Sequence, residues 1–139
     1  MYVLATDHLG EYQKGMSPAA QRLIRRLDAA TEPVATTIIT VEEIMRGWMA
    51  AIRRENPQRQ KNAYDRLTNL FRFFAGWDIL PWDDSAIAEF DHLVQNKIRI
   101  GTMDLKIASI ALANSATLPT RNAKDFGEVP NLRIEDWLS

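Results

Sequence analysis

The sequence predicts an α/β domain with a short, mainly parallel central sheet of four to five strands flanked by helices. Two observations carry this prediction. Short, mostly apolar stretches alternate along the 139 residues with longer stretches that have helical periodicity. Strands without a polar face are typical of parallel sheets that are covered by helices on both sides.

Five segments have the composition of strands. The segment at 34–39 is rich in β-branched residues, which favour extended backbone. The segment at 77–80 is closed by Pro81, and the N-terminal run leads directly into a turn that carries Asp7. The predicted strands are residues 2–6, 34–39, 77–80, 116–120 and, as a possible fifth, 132–134.

Capping patterns predict where the helices begin. Ser17 before Pro18 gives an N-cap followed by the residue that favours the first helical position. Thr40 has Glu43 three residues later, which is the spacing of a capping box. Thr102 is expected to be the N-cap of a late helix. Helices are predicted over residues 7–14, from 18, from 41, over 58–75, from 83 or 84, and from 102 to about 114.

Composition bounds the classes of function. Hydrophobic residues make up 46% and charged residues 25%, with a formal net charge of −1, so the overall charge gives no argument for nucleic acid. The absence of cysteine excludes disulfides and thiolate metal sites. No apolar run approaches the roughly 20 residues of a membrane span, and Met1 leads straight into a strand rather than a signal peptide. We therefore expect one cytoplasmic domain over residues 1–139, without a membrane segment.

Four carboxylates lie where a parallel sheet would bring them together. Asp7, Glu43, Asp104 and Asp125 each follow a predicted strand or lie near a predicted helix start. Such positions converge at the carboxyl edge of the sheet, and clustered carboxylates are the ligands of Mg²⁺ and Mn²⁺. Each acid also has a structural interpretation, in helix capping or in the field of a helix N-terminus. Spacing alone leaves both interpretations open.

Three segments resemble the PIN-domain ribonucleases of the VapC toxin type. The first is residues 2–9, where the family motif places an Asp directly before the threonine. The second is residues 40–47, which identifies Glu43 rather than Glu42 as the family acid. The third and most specific comprises residues 101–108 together with 120–126. The resemblance spans nearly the whole chain and implies a PIN-like domain.

The resemblance implies an endoribonuclease that hydrolyses RNA phosphodiester bonds with Mg²⁺ or Mn²⁺. It also implies the toxin of a type II toxin–antitoxin system, which forms a homodimer or a hetero-oligomer with a small cognate antitoxin that blocks the site. Asp104 and Asp125 are the implied metal ligands. The candidate catalytic set, with Thr120 and Asn122 supporting the acids by hydrogen bonds, is Asp7, Glu43, Asp104, Thr120, Asn122 and Asp125.

One departure from the family pattern is Ala5, at the position of the expected metal-binding Asp. A methyl group has no oxygen to coordinate an ion, so we expect this chain to bind metal poorly and to cleave RNA weakly. Asp7, two residues further on, stays open as a substitute. The origin of Ala5 also stays open: the otherwise intact motif favours an introduced change that makes a toxic nuclease safe to express, and natural divergence is the alternative. The alternative functions are a non-catalytic PIN-like module that binds RNA or protein, and a DNA nuclease of similar fold.

Overall fold

A computed structural model describes residues 1–54 and 56–139. The strands are β1 (Tyr2–Val3), β2 (Val34–Thr37), β3 (Ile79–Leu80), β4 (Thr117–Pro119) and β5 (Arg133–Glu135). The helices are α1 (Thr6–Lys14), α2 (Pro18–Ala29), α3 (Ile38–Arg54), α4 (Pro57–Ala75), α5 (Asp84–Gln95), α6 (Thr102–Ala113) and α7 (Ala123–Phe126).

The five strands form one parallel sheet in the order β3-β2-β1-β4-β5. This confirms the predicted fold class. The chain moves outward from β1 to β2 and β3, and then returns to place β4 on the other side of β1. Connections leave the carboxyl ends of β1 and β4 in opposite directions, and ligand sites of open α/β sheets form in the crevice at such a reversal. The residues after β1 and after β4 therefore flank the expected site.

Two apolar clusters pack around the sheet and fix the helices that carry the acids. One contains Ile107 and Ile110 of α6 together with Leu118 of β4. The other contains Leu9 of α1 and Leu23 of α2. Half of the twelve residues of α6 are buried, so this helix is held on nearly all sides and gives Asp104 in its first turn a rigid support. No helix among the described residues combines the length and the apolar character needed to cross a membrane.

The predicted capping box at Thr40 is wrong. Helix α3 begins at Ile38, and Thr40 lies inside its first turn, where its backbone N–H donates to the hydroxyl of Thr37 at 3.0 Å. The strand predicted at 34–39 is shorter than expected for this reason. Thr102 is likewise the first helical residue of α6 rather than its cap, because Gly101 occupies the N-cap position.

Other helix starts agree with the prediction to within one residue, while β1 to β4 are shorter than predicted and β5 is shifted by one residue. The hydroxyl of Ser17 accepts from the N–H of Ala20, and the carboxylate of Asp83 accepts from the N–H of Ala86, each at 3.0 Å. β1 ends at Val3 because α1 begins at Thr6, and β3 and β4 lose residues at their predicted ends. The short helix α7, which carries Asp125, was not predicted.

Candidate active site

Ala5 lies where β1 turns into α1. It is the N-cap of α1 and offers no side-chain cap, and its side chain is 3% exposed. It packs in the same apolar cluster as Leu105 and Phe126, the residues that directly follow Asp104 and Asp125. Position 5 therefore belongs to the same apolar cluster as the residues that follow both acids in sequence. Aspartate is among the preferred N-cap residues and alanine is a poor one, so an Asp here would also complete the cap of α1.

Asp7 uses both carboxylate oxygens in hydrogen bonds within the protein. Its Oδ1 accepts from the backbone N–H of His8 at 2.7 Å and contacts the ring Nδ1 of His8 at 3.0 Å. Its Oδ2 accepts from the backbone N–H of Arg121 at 2.8 Å and from the hydroxyl of Thr120 at 3.2 Å. Asp7 thereby ties the first turn of α1 to the segment after β4, across the crevice between β1 and β4.

The environment of Asp7 favours its charged form. Burial acts to raise its pKa, but the hydrogen bonds from the side chain of His8 and the backbone N–H of Arg121 outweigh burial, and the pKa of Asp7 lies below its ordinary value. Hydrogen bonds to a carboxylate stabilise its ionised state. The carboxylate of Asp7 is thus ionised and already provided with donors.

His8 is fully buried and links Asp7 to the C-terminal segment. Its Nε2 accepts a hydrogen bond from the backbone N–H of Trp137 at 2.9 Å. A neutral imidazole that accepts at Nε2 carries its proton at Nδ1, which donates to Asp7. Both ring nitrogens are therefore satisfied, and His8 supports the site structurally.

Glu43 lies on the second turn of α3 and faces the start of α1. The hydroxyl of Thr6 donates to its Oε1 at 2.8 Å. The hydroxyl of Thr6 is also 3.1 Å from that of Thr40. The carboxylate of Glu43 is therefore engaged by a tertiary contact, which explains why it does not close a capping box.

Asp104 and Asp125 are bridged by one amide group. The side-chain Nδ2 of Asn122 donates to Asp125 Oδ2 at 3.1 Å and to Asp104 Oδ2 at 3.4 Å. Asn122 is also the N-cap of α7, with its Oδ1 accepting from the N–H of Asp125 at 3.3 Å. The hydroxyl of Thr120 accepts from the N–H of Asn122 at 3.0 Å. The segment after β4 thus holds two carboxylates together and connects them to Asp7 through Thr120.

The surroundings of Asp104 disfavour its charged form. Burial raises its pKa, and the negative charges of Glu43, Asp125 and Asp7 raise it further, while the hydrogen bond from Asn122 acts in the opposite direction. The charges of the other three predicted acids therefore all act on Asp104. Clustered carboxylates that repel in this way are relieved by a cation or by a proton.

The side-chain oxygens of these acids are the type of ligand that a hard divalent ion takes. The acids offer only oxygen atoms, the ligand type that Mg²⁺ and Mn²⁺ take in proteins. Within residues 1–54 and 56–139, no three Asp, Glu, His or Cys side chains are arranged as a group that could hold an ion. The acids therefore match a divalent ion in donor type and in charge, but the described residues are not arranged to hold one, and position 5 contributes no oxygen.

Sequence reasoning missed the hydroxyl groups around Glu43 and the role of Arg121. Thr40 was predicted only as a helix cap, and Thr6 and Thr37 were given no role. Arg121 contributes through its backbone N–H, so its residue type carried no signal. A search for hydroxyl residues facing a candidate acid across two elements would have found Thr6.

A curated ribonuclease matches part of this chain. No family model matches the chain. Over 45 residues the chain is 51% identical to Ribonuclease VapC2 of Rickettsia felis, a match that covers 32% of this chain and 34% of that protein. The matched stretch therefore spans about a third of the curated relative.

Two solved structures match almost the full length. A chain of VapBC-1 from nontypeable Haemophilus influenzae superposes with a TM-score of 0.76 at 20% identity, covering 99% of this chain and 98% of that one. A chain of VapBC2 from Rickettsia felis, bound to a DNA fragment from its promoter, gives a TM-score of 0.72 at 25% identity and covers 98% of each chain. With the parallel sheet and the acids at its carboxyl edge, these matches confirm the resemblance: the chain has the fold of the VapC-type PIN-domain toxins.

Proposed function

We propose that the chain is the toxin of a type II toxin–antitoxin system and a divalent-metal-dependent endoribonuclease. We further propose that Ala5 impairs its cleavage of RNA. The single observation that carries the proposal is the acid cluster at the switch point of the sheet, where Asn122 bridges Asp104 and Asp125 and the charge of Glu43 acts on Asp104. The match to a protein named as a ribonuclease supports the reaction.

Each side chain has a proposed part in phosphodiester hydrolysis. Asp104 and Asp125 would hold the ion, and Asn122 keeps their carboxylates together through its amide. Glu43, oriented by Thr6, would accept a proton at its carboxylate from the attacking water. A divalent ion supplies Lewis-acid polarisation of the phosphoryl group and favours hydroxide at neutral pH when bound. The protein contributes positioning and the electrostatic field in which these groups act.

Ala5 removes one oxygen donor from this arrangement. Its methyl group is buried in an apolar cluster, so no change of rotamer supplies a ligand. We propose that Asp7 does not replace it, since both oxygens of Asp7 accept hydrogen bonds from the protein and hold the segment after β4 in place. Asp7 is then a positioning residue, and the chain binds Mg²⁺ or Mn²⁺ weakly.

The proposed partner is a small cognate antitoxin, with which the chain forms a hetero-oligomer. One matched structure, VapBC-5 from Mycobacterium tuberculosis, is a member of the VapBC family of toxin–antitoxin systems. Chains of two other VapBC structures share this fold over nearly the full length. Co-expression with the product of a short open reading frame beside the gene tests this. Stable co-purification supports the proposal, and separate elution of two folded proteins contradicts it.

RNA cleavage tests the proposed activity. Purified chain and its Ala5→Asp variant are incubated with a mixed RNA substrate in Mg²⁺, in Mn²⁺ and in EDTA. We expect the variant to cleave RNA at least roughly 100-fold faster than the parent, because one restored electrostatic contact to a reacting centre is worth about that factor, with loss of cleavage in EDTA. RNA binding without cleavage by both proteins would instead support the non-catalytic module.

A further inference from the structure

Three threonine hydroxyls form a connected row that ends at Glu43. The hydroxyl of Thr37 lies 3.4 Å from that of Thr40, and the hydroxyl of Thr40 lies 3.1 Å from that of Thr6. The hydroxyl of Thr6 then lies 2.8 Å from Glu43 Oε1. Thr37 and Thr40 are fully buried. The row therefore crosses from the end of β2, through the first turn of α3, to the start of α1, and returns to α3.

The number of protons gives this row a direction. Each hydroxyl has one proton to donate. Because Thr6 donates its proton to the carboxylate of Glu43, the hydrogen bond between Thr40 and Thr6 must take its proton from Thr40. Thr37 donates in turn to Thr40 and accepts from the N–H of Thr40 at 3.0 Å. Every proton in the row points toward the carboxylate of Glu43, an arrangement in which each donor polarises the next.

We propose that Thr6, supported by Thr40, is the positioning residue that fixes the carboxylate of Glu43 in the candidate site. The inference rests on the proposed function for its meaning in catalysis, but the contact itself belongs to the fold. Glu43 is a long side chain on one face of α3 and would otherwise sample several rotamers. The hydroxyl of Thr6 reaches it from another helix and selects one of them.

The chain offers a matched control for a purely structural role. Thr36 is a fully buried threonine of β2, and its hydroxyl donates to the backbone oxygen of Leu4 at 3.2 Å. Thr36→Val removes a buried hydrogen bond without touching Glu43. Thr6→Val removes the donor to Glu43, and Thr6→Ser restores a hydroxyl at the same position. Thr6→Ala replaces the valine variant if that variant does not fold.

The first readout is the side-chain conformation of Glu43, measured from the three-bond couplings across its χ1 angle by NMR without metal or RNA. We expect couplings of one dominant rotamer in the parent, in Thr6→Ser and in Thr36→Val. Rotamer-averaged couplings are expected in Thr6→Val. Unchanged couplings in Thr6→Val overturn the inference, whether or not the protein cleaves RNA.

The second readout is steady-state cleavage in the Ala5→Asp background. Outer hydrogen-bond partners of a metal site typically contribute 10–100-fold, so Thr6→Val should lower kcat by roughly that factor with KM changed less than about twofold. Thr6→Ser should stay within about threefold of its parent. An equal loss of kcat in Thr36→Val contradicts the inference. If Ala5→Asp cleaves no RNA, the proposed function fails, and the couplings of Glu43 alone decide the positioning role.

Discussion

Replacing Asp104 by asparagine removes one negative charge from the candidate site and keeps the shape and an acceptor oxygen of the side chain. Because Asn122 Nδ2 lies 3.4 Å from Asp104 Oδ2 and 3.1 Å from Asp125 Oδ2, these two oxygens are at most about 6.5 Å apart, the sum of the two distances. Unit charges at that separation repel by about 2.5 kcal/mol at an effective dielectric constant of about 20, and by about 0.6 kcal/mol in water.

Asp104 is partly buried, so a value between these limits applies to it. We predict that Asp104→Asn raises the free energy of unfolding by about 1 kcal/mol at pH 7 in EDTA, or the melting temperature by roughly 4 °C. Thermal and urea unfolding measure this. Asp28→Asn, at an exposed position of α2, is the control and should change stability by less than about 0.5 kcal/mol. A loss of stability in Asp104→Asn, or a gain no larger than that of the control, refutes the predicted charge repulsion between Asp104 and the neighbouring acids.

The gain from Asp104→Asn should depend on pH. Burial and the charges of Glu43, Asp125 and Asp7 raise the pKa of Asp104 in the folded state. The folded protein therefore keeps this proton to higher pH than the unfolded chain, and stability is lost as pH rises from the ordinary value of 3.8 through the raised pKa. The difference between the variant and the parent should be small below that window and should grow across it. A difference that is constant with pH contradicts this reasoning.

Three further substitutions test the supports of the site by urea unfolding. Asp7→Ala leaves buried donors of His8 and of the segment after β4 without an acceptor and should cost about 1–3 kcal/mol; a neutral result would show that these contacts are not formed. His8→Phe keeps an aromatic ring but leaves the N–H of Trp137 unpaired, with a similar expected loss, and an unchanged midpoint would contradict the buried hydrogen bond. Gly127→Ala places a methyl group against the carbonyl oxygen of Ala123 and should destabilise the protein by about 1–3 kcal/mol; an unchanged unfolding midpoint would contradict this close approach.

The fold class could be predicted from the sequence because apolar strands and helix starts are encoded by residues that are close together in the chain. Ser17 with Pro18 and Asp83 each cap a helix through contacts three residues away. The strand order was not predictable, since it depends on where the chain returns after β3. The strands themselves ended early because β1 and β2 turn directly into helices.

The capping box shows how a local pattern loses to a tertiary contact. Thr40 and Glu43 have the correct spacing, yet Thr37 offers the same hydroxyl one turn earlier and caps the helix there. Glu43 is then free to accept from Thr6, which is 37 residues away in sequence. No pattern within α3 contains that information.

The sequence predicts the candidate acids as a group, but the hydrogen-bond partners of each acid follow only from the fold. The hydrogen-bond partners of Asp7 include Thr120 and Arg121, which lie more than a hundred positions later in the sequence. Under the proposed function, those contacts distinguish a carboxylate that supports the site from one that would be available to an ion. Ala5 was visible as a departure from the family pattern, whereas its burial in the apolar cluster that contains Leu105 and Phe126 depends on the fold.

Titration calorimetry with Mn²⁺ tests most directly whether residue 5 is the missing donor of this site. Ala5→Asp and Ala5→Asn both supply an N-cap for α1, but only aspartate adds a charged oxygen ligand. We predict that Ala5→Asp binds Mn²⁺ at least roughly tenfold more tightly than the parent, and that Ala5→Asn stays close to the parent. Equal Mn²⁺ affinity in all three proteins would contradict the account.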